Sequence, residues 1–428
     1  MSPGRAGAVS RAAADWSRGD MRETTLPNGV RILSESIPGV RSVTAGVWVR
    51  QGAAHESEEL LGASHLLEHL VFKGTKRRSP KEIALSLERL GGSLDAFTSR
   101  EHTSYQARVL AEHLPVALDV LADIVLEPLL RAEDLDLERE VVLEEISGME
   151  DTPDDLVFEL HADALWRGHP YGRSILGTRE SVQGMSAGAL HDLHATRYLG
   201  GELIIGAAGY LEHEALVEEV SRHFARIPGG AAPEVPTVAS GAVGGERRVA
   251  RESVQTHLVF GMRTPPRSAE ERFPLTLLTA AFGGGMGSRL FQRVREELGL
   301  AYAVYSFQSF FSRAGIVGVY LGTRPEWADR AASVTLGEYR RLAEGGLGDE
   351  ELAEVKNQVK GQVMLSLEST GARLLRLVGS ALFGEPRLTL DELLAAIDGI
   401  SRADVGECAA RFFDPEGQTL LRLGPGAA

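Results

Sequence analysis

Cysteine is nearly absent: Cys408 is the only one in 428 residues. That excludes a disulfide framework within the chain and any cysteine-rich metal cluster. Its setting, Gly406-Glu-Cys-Ala-Ala-Arg411, predicts a small residue packed in a helix, and a lone thiol suits a reducing compartment. No run of 18 or more apolar residues occurs, so no hydrophobic helix that spans a membrane is expected. Positive charge is in deficit, 45 Lys and Arg against 60 Asp and Glu, for a formal net charge of −15. Such a field repels phosphate backbones and argues against nucleic acid as a partner. The glycine-rich run Gly283-Gly-Gly-Met-Gly287 lacks both the Gly-Lys-Ser/Thr ending of a phosphate loop and the Gly-x-Gly-x-x-Gly spacing. Residues 1–20 lack the continuous apolar core of a secretory signal and read as a disordered extension, which favours the cytoplasm.

What is present is enough apolar material, 43% of residues, for more than one core. The chain repeats one pattern. Arg41-Ser-Val-Thr-Ala-Gly-Val-Trp-Val49 alternates with a period near two, and Thr256-His-Leu-Val-Phe-Gly-Met262 takes the same place later. A helix follows each, around His65 and over Phe273–Ala281. Strand pairs come next, at Ser93–Leu110 and Tyr302–Leu321, then long helices at Leu135–Met149 and Asp349–Ser366. A Pro/Gly/Ala-rich stretch at 228–245 reads as a linker between domains at 21–227 and 246–428. The expected class is α+β: two homologous domains, each a largely antiparallel sheet packed with helices.

The chemistry concentrates in His65-Leu-Leu-Glu68-His69. A helix advances about 100° per residue, so His65 and His69 lie roughly 40° apart with Glu68 beside them. Leu66, Leu67, Leu70 and Val71 take the other face. Two His at i and i+4 can hold one metal ion, and the neighbouring carboxylate can take a proton from water at that ion. Such a site needs a third protein ligand. On a wheel for Leu135–Met149, Glu138 and Glu145 fall within about 20° of each other, inside a stripe of Leu135, Val141, Val142, Ile146 and Met149. Glu140 and Glu144 point away. An ionised carboxylate in an apolar stripe is costly unless it is paired or binds metal, which selects Glu145 or Glu138 over Glu144.

These residues carry a resemblance. His65-Leu-Leu-Glu-His69, with Glu145 after 75 intervening residues, resembles the pitrilysin/insulinase family of zinc peptidases. The likeness is strongest to its branch of mitochondrial and bacterial processing peptidases. Matching stretches include Leu26-Pro-Asn-Gly-Val30, Gly91-Gly-Ser-Leu-Asp-Ala-Phe-Thr98, Glu101-His-Thr-Ser-Tyr105, His169-Pro-Tyr-Gly-Arg-Ser-Ile-Leu-Gly177 and Arg295-Glu-Glu-Leu-Gly-Leu-Ala-Tyr302. The resemblance implies that His65, His69 and Glu145 bind one Zn2+ per chain, that Glu68 is the general base, and that Glu138 stands behind the site. It implies that Asp95, Ala96, Phe97 and Thr98 form a sheet edge that pairs with an extended substrate. It also implies that Arg295 and Tyr302 contact the substrate carbonyl region opposite the zinc. The expected activity is zinc-dependent endopeptidase, cleaving extended peptides or unfolded segments inside an enclosed chamber, with processing of leader peptides and general degradation of short peptides both open. Family members with both halves doubled on one chain form a clamshell. This chain has half that length, so the resemblance implies a homodimer, with Arg295 and Tyr302 acting across the interface.

Two alternatives belong to other classes. The family includes non-catalytic subunits that bind peptides or scaffold a hetero-oligomeric peptidase, but these lose motif residues that this chain keeps. A structural zinc site would close all four positions with Cys or His, and only three ligands are found. His102, His161 and His169 lack partners at ligand spacing and read as structural.

Overall fold

The computed structural model describes residues 20–231 and 234–425. Nearly all of the extension expected at 1–20 lies outside them, and Asp20 already begins the first strand. The first sheet comprises β1 (Asp20–Thr25), β2 (Arg31–Ser36), β3 (Ser42–Val49), β4 (Ser93–Thr98), β5 (Thr103–Leu110) and β6 (Leu203–Gly209), in the order β1-β2-β6-β3-β5-β4. The second comprises β7 (Glu246–Ala250), β8 (Thr256–Thr264), β9 (Ala301–Phe310), β10 (Gly315–Thr323) and β11 (Thr419–Gly424), in the order β7-β11-β8-β10-β9. Without β1 the two orders coincide, and so do the strand directions. Each sheet has one parallel pair, β2 with β6 and β7 with β11, and is otherwise antiparallel. The parallel pairs arise because the last strand of each half returns after a long helical excursion, which a parallel neighbour requires. The repeat in the sequence is thus a repeat of topology, and the α+β expectation holds.

The first half carries α1 (Ala63–Leu70), α2 (Pro80–Glu88), α3 (Leu114–Leu126), α4 (Ala132–Asp151), α5 (Pro153–Trp166), α6 (Arg179–Gly184), α7 (Ala187–Arg197) and α8 (His213–Phe224). The second carries α9 (Arg272–Gly283), α10 (Ala328–Gly345), α11 (Asp349–Ser366), α12 (Thr370–Leu382), α13 (Leu390–Gly399) and α14 (Arg402–Phe412). Among the described residues no helix is long and apolar enough to cross a membrane.

The halves interlock by exchanging a helix. One face of the first sheet (Val43, Ala45, Val47, Val49) packs into the main core with α1 and α3. The alternation in β3 suggests that its other face is solvated, yet it too is buried. Leu33, Trp48, Ile204 and Ala208 meet Leu374, Leu377 and Val378 of α12, from the second half. Gly206 makes room for that helix: a Cβ there would stand 2.6 Å from Val378 and 2.7 Å from Leu374. Arg373 of α12 pairs with buried Glu35 at 2.6 Å. In return α5 crosses the second sheet, where Val157 packs with Val259, Tyr320, Leu421 and Leu423. Gly261 gives His161 its space, since a Cβ would lie 2.5 Å from the ring. The described residues of 228–245 form no helix or strand, but they are not a loose tether. Val235 is buried against Trp166, Tyr171 and Ala314, with Val238 and Val243 packed alongside.

Candidate metal centre

α1 begins at Gly62, whose φ of 87° favours glycine. A Cβ there would lie 2.5 Å from the Leu176 carbonyl oxygen, and one at Gly177 would lie 2.3 Å from that of Leu61. The start of α1 is therefore pressed against the Ser174–Gly177 segment. Buried Glu56 holds it there, accepting from the amides of Gly62 at 2.8 Å and Ser64 at 2.7 Å. A carboxylate on the orphan N–H groups of a helix start is favourable. Leu66, Leu67, Leu70 and Val71 are buried, which turns His65, Glu68 and His69 toward α4 and β4.

α4 supplies the facing carboxylates. Leu135, Glu138, Val142 and Ile146 are its buried residues. Val141, which the wheel puts in the stripe, is exposed; the true stripe is narrower than the wheel's. Glu138 lies at depth, whereas Glu145 keeps 41% of its side chain accessible. The Nε2 atom of His65 is 3.7 Å from one Glu145 oxygen, and that of His69 is 3.8 Å from the other. One donor atom from each of the three residues falls within 4.8 Å of the other two. Behind them Glu138 accepts from His69 Nδ1 at 2.9 Å and pairs with Lys73 at 2.5 Å. A carboxylate only accepts, so the His69 proton sits on Nδ1 and Nε2 presents a lone pair. His65 Nδ1 is buried without a hydrogen-bond partner among the described residues. Burial, helped by His69, pulls the His65 pKa from 6.5 to about 4, which keeps the ring neutral. Burial pushes the Glu68 carboxyl up, while the hydrogen bond from Thr98 pulls it back.

Asp95–Thr98 falls on β4, the outer strand, which among the described residues pairs only with β5. Ala96, Phe97 and Thr98 line the cavity at His65 and Glu68, together with Met149, Glu159 and Ser174–Leu176. Asp95 is not part of that lining. Thr98 is buried and gives its hydroxyl hydrogen to Glu68 at 2.6 Å, a role the sequence reading missed. Glu56 and Lys73 were missed as well. Glu56 sits six residues before Gly62, but nothing in the sequence marks that loop as folding back on the helix.

Arg295 and Tyr302 lie in the second half. Arg295 is on a π-helical segment, Phe291–Glu297, and Tyr302 on β9. The guanidinium rests 5.0 Å over the Tyr302 ring, and Tyr302 is 79% exposed. Neither lines the cavity at His65, whose lining comes wholly from the first half. The three histidines read as structural have partners elsewhere: His102 bonds Ser99, His161 the Thr419 carbonyl and His169 the Pro236 carbonyl.

Two family models match the chain. One is described as insulinase (peptidase family M16), over residues 31–179. The other is described as the peptidase M16 inactive domain, over residues 184–359. An uncharacterized zinc protease of Mycobacterium tuberculosis (strain H37Rv) is 40% identical over 393 residues, 91% of this chain and 90% of the relative. The uncharacterized zinc protease YmxG of Bacillus subtilis is 36% identical over 411 residues, 95% and 98% of the two chains. Among solved structures, a protease from Helicobacter pylori aligns with a TM-score of 0.87 at 20% identity, covering 95% of this chain and all of that one. A Pseudomonas fluorescens structure titled peptidase M16 inactive domain gives 0.88, also at 20%, covering 96% and 99%. At that identity the two structures speak for the fold alone.

Proposed function

The chain belongs to the insulinase family of peptidases, family M16, and from that premise we propose that it is a zinc-dependent endopeptidase cutting extended peptides or unfolded segments in an enclosed chamber. The observation that carries this reading is the convergence of His65, His69 and Glu145 beside Glu68. Two ligands about 2.1 Å from a tetrahedral zinc stand roughly 3.4 Å apart. The His–Glu distances of 3.7 and 3.8 Å are close to that. Two imidazoles and a carboxylate are a donor set zinc accepts, with a fourth position left open.

Zinc bound there would polarise a water and the scissile carbonyl. Glu68 takes the proton of the attacking water and delivers it to the leaving amine. Thr98 occupies one Glu68 oxygen, leaving the other for the proton. Glu138 and Lys73 fix the His69 ring so that its Nε2 faces the site. The unpaired edge of β4 offers backbone N–H and C=O groups to a substrate strand, a mode in which main-chain hydrogen bonds hold an extended chain. In this reading Asp95, Ala96, Phe97 and Thr98 line that strand. Tyr302 and Arg295 of a second copy face the scissile carbonyl, the hydroxyl donating to the developing oxyanion. A homodimer then closes the chamber. The match of 184–359 to an inactive-domain model fits a second half with no histidine pair of its own.

Mass-spectrometric profiling of a peptide library tests the activity. The zinc-loaded protein should cut many peptides. Glu68→Gln should hold zinc and lose at least 100-fold in turnover, as expected for a general base. Near-normal turnover in that variant would refute the assignment. Sharing between copies is tested by mixing Glu68→Gln and Tyr302→Phe chains: regained activity supports it, and none refutes it. A non-catalytic, peptide-binding subunit would bind the library and cut nothing.

A further inference from the structure

A second cavity, of about 280 Å3, lies where α9, β9, α11 and α13 meet α12 and the start of β1. It is distinct in lining from the His65 site. Its walls are mainly apolar, with Phe273, Leu277, Val359, Leu377 and Leu393 among them. Its polar lining includes four guanidinium groups beside Glu385, Gln308, Thr276 and Ser380. Arg267 and Arg272 share one carboxylate, Glu385, from which Arg267 Nε is 3.2 Å away. Arg376 has no carboxylate within ion-pair distance among the described residues. It donates to the Leu388 carbonyl at 2.8 Å and touches the Met21 sulfur at 3.8 Å. Glu35, the carboxylate that acts on Arg376 from further off, is paired with Arg373 at 2.6 Å. The Nε of Arg376 and the Oε1 of Gln308 are buried without a hydrogen-bond partner among the described residues. Arg387 at the rim is already matched by Glu23.

Three guanidinium groups thus have one carboxylate at ion-pair distance, Glu385, in a largely apolar hollow, with Glu35 and Glu101 acting from further off. Buried charge is costly unless paired, and a planar guanidinium is suited to a carboxylate. The volume lies just below the usual range of ligand sites, roughly 300–1,000 Å3, so it admits one slender apolar body and not a two-chain lipid. We propose that this cavity binds an amphipathic carboxylate, its anionic head on Arg376 and Arg267 and its apolar body along Phe273, Leu277 and Leu377. Two sources share that chemistry: a medium-chain fatty acid, or the free C-terminus of a hydrophobic peptide. The proposal does not depend on the zinc site.

Calorimetric titration of the full-length protein with decanoate tests it, with and without a chelator. Saturable one-to-one binding that survives chelation is expected, with no binding of decyltrimethylammonium, which has the same tail and the opposite charge. Arg376→Gln should weaken decanoate binding at least tenfold. So should Leu388→Trp, which fills the cavity from an irregular segment and keeps the test open if the first variant fails to fold. Displacement of decanoate by acetyl-Leu-Phe, but not by its amide, would assign the peptide source; no displacement would assign the acyl source. Absence of saturable binding, loss of binding on chelation, equal binding of the cationic amphiphile, or wild-type affinity in both variants would overturn the proposal.

Discussion

Replacing Glu138 by Gln isolates the contribution of the group behind the metal site. The two side chains have nearly the same volume, so packing against Leu135 and Val142 should survive. In the native arrangement one Glu138 oxygen accepts from His69 Nδ1 at 2.9 Å and the other from Lys73 at 2.5 Å. Gln offers one acceptor and one donor. If its oxygen turns to Lys73, its NH2 faces His69 and forces the proton onto Nε2, the atom that must present a lone pair. If its oxygen turns to His69, its NH2 opposes a half-buried ammonium. Either way one charge-assisted hydrogen bond is lost, worth about 1.5–3 kcal/mol. Removing such an outer partner typically lowers metal affinity 10- to 100-fold, or about 1.4–2.7 kcal/mol. Competition between the protein and a chromophoric chelator gives the zinc Kd directly. Glu144→Gln, exposed on the same helix, is the control and should leave Kd within twofold. A Glu138→Gln Kd within twofold of wild type, with unchanged thermal unfolding, would refute the argument that this carboxylate sets the His69 tautomer.

Other expectations test the packing between the halves. Gly206→Val places side-chain atoms where Val378 and Leu374 already stand; overpacking of this kind costs typically 1–3 kcal/mol, read as a lower denaturant midpoint with the slope unchanged. Acid should loosen the interlock through His161. Burial holds its folded pKa near 4, against 6.5 ordinarily. The unfolded chain therefore takes up a proton that the folded one refuses. This stability is complete above pH 6.5, falls between 6.5 and about 4, and amounts to about 3 kcal/mol at most. His161→Gln keeps a donor for the Thr419 carbonyl and should flatten the decline between pH 6.5 and 4.5. An unchanged slope in urea titrations would count against His161 as its source.

The helix pair that frames the site was legible in the sequence because its signals are local. His65, Glu68 and His69 share a face by their spacing alone, and Glu138 and Glu145 sit two turns apart in one amphipathic segment. The duplicated strand–helix–hairpin–helix pattern was legible for the same reason. What stayed hidden depends on contacts far apart in the chain. Thr98 reads as part of a substrate strand, and only the folded sheet brings its hydroxyl to Glu68. Glu56 reads as one acidic residue among several until the loop returns to the amides of Gly62 and Ser64. The linker composition of 228–245 gives no hint that Val235 is buried against Trp166. The alternation in β3 implies one wet face, because nothing within that strand announces a helix arriving from more than 300 residues away.

That exchange of helices bears on the metal site itself. Glu145 lies near the end of α4, and α5 follows directly, with Thr152 between them. α5 is bound to the other half, with Val157 in the second sheet's outer core and His161 bonded to the Thr419 carbonyl. The third candidate ligand is thus carried on a helix pair whose far end is anchored in the half that offers no ligand. It follows that residues 21–227 alone should not form the site. Without its partner the first sheet would expose Leu33, Trp48, Ile204 and Ala208, and α5 would expose Val157. Burying side chains of this size is worth roughly 1.5–3 kcal/mol each, so their exposure would consume most of a typical stability of 5–15 kcal/mol. The fragment should unfold without cooperativity and bind zinc weakly, and co-expression with residues 228–428 should restore both properties. A fragment 21–227 that unfolds cooperatively and binds zinc as tightly as the full chain would show that the second half serves the site in some other way than by holding α5.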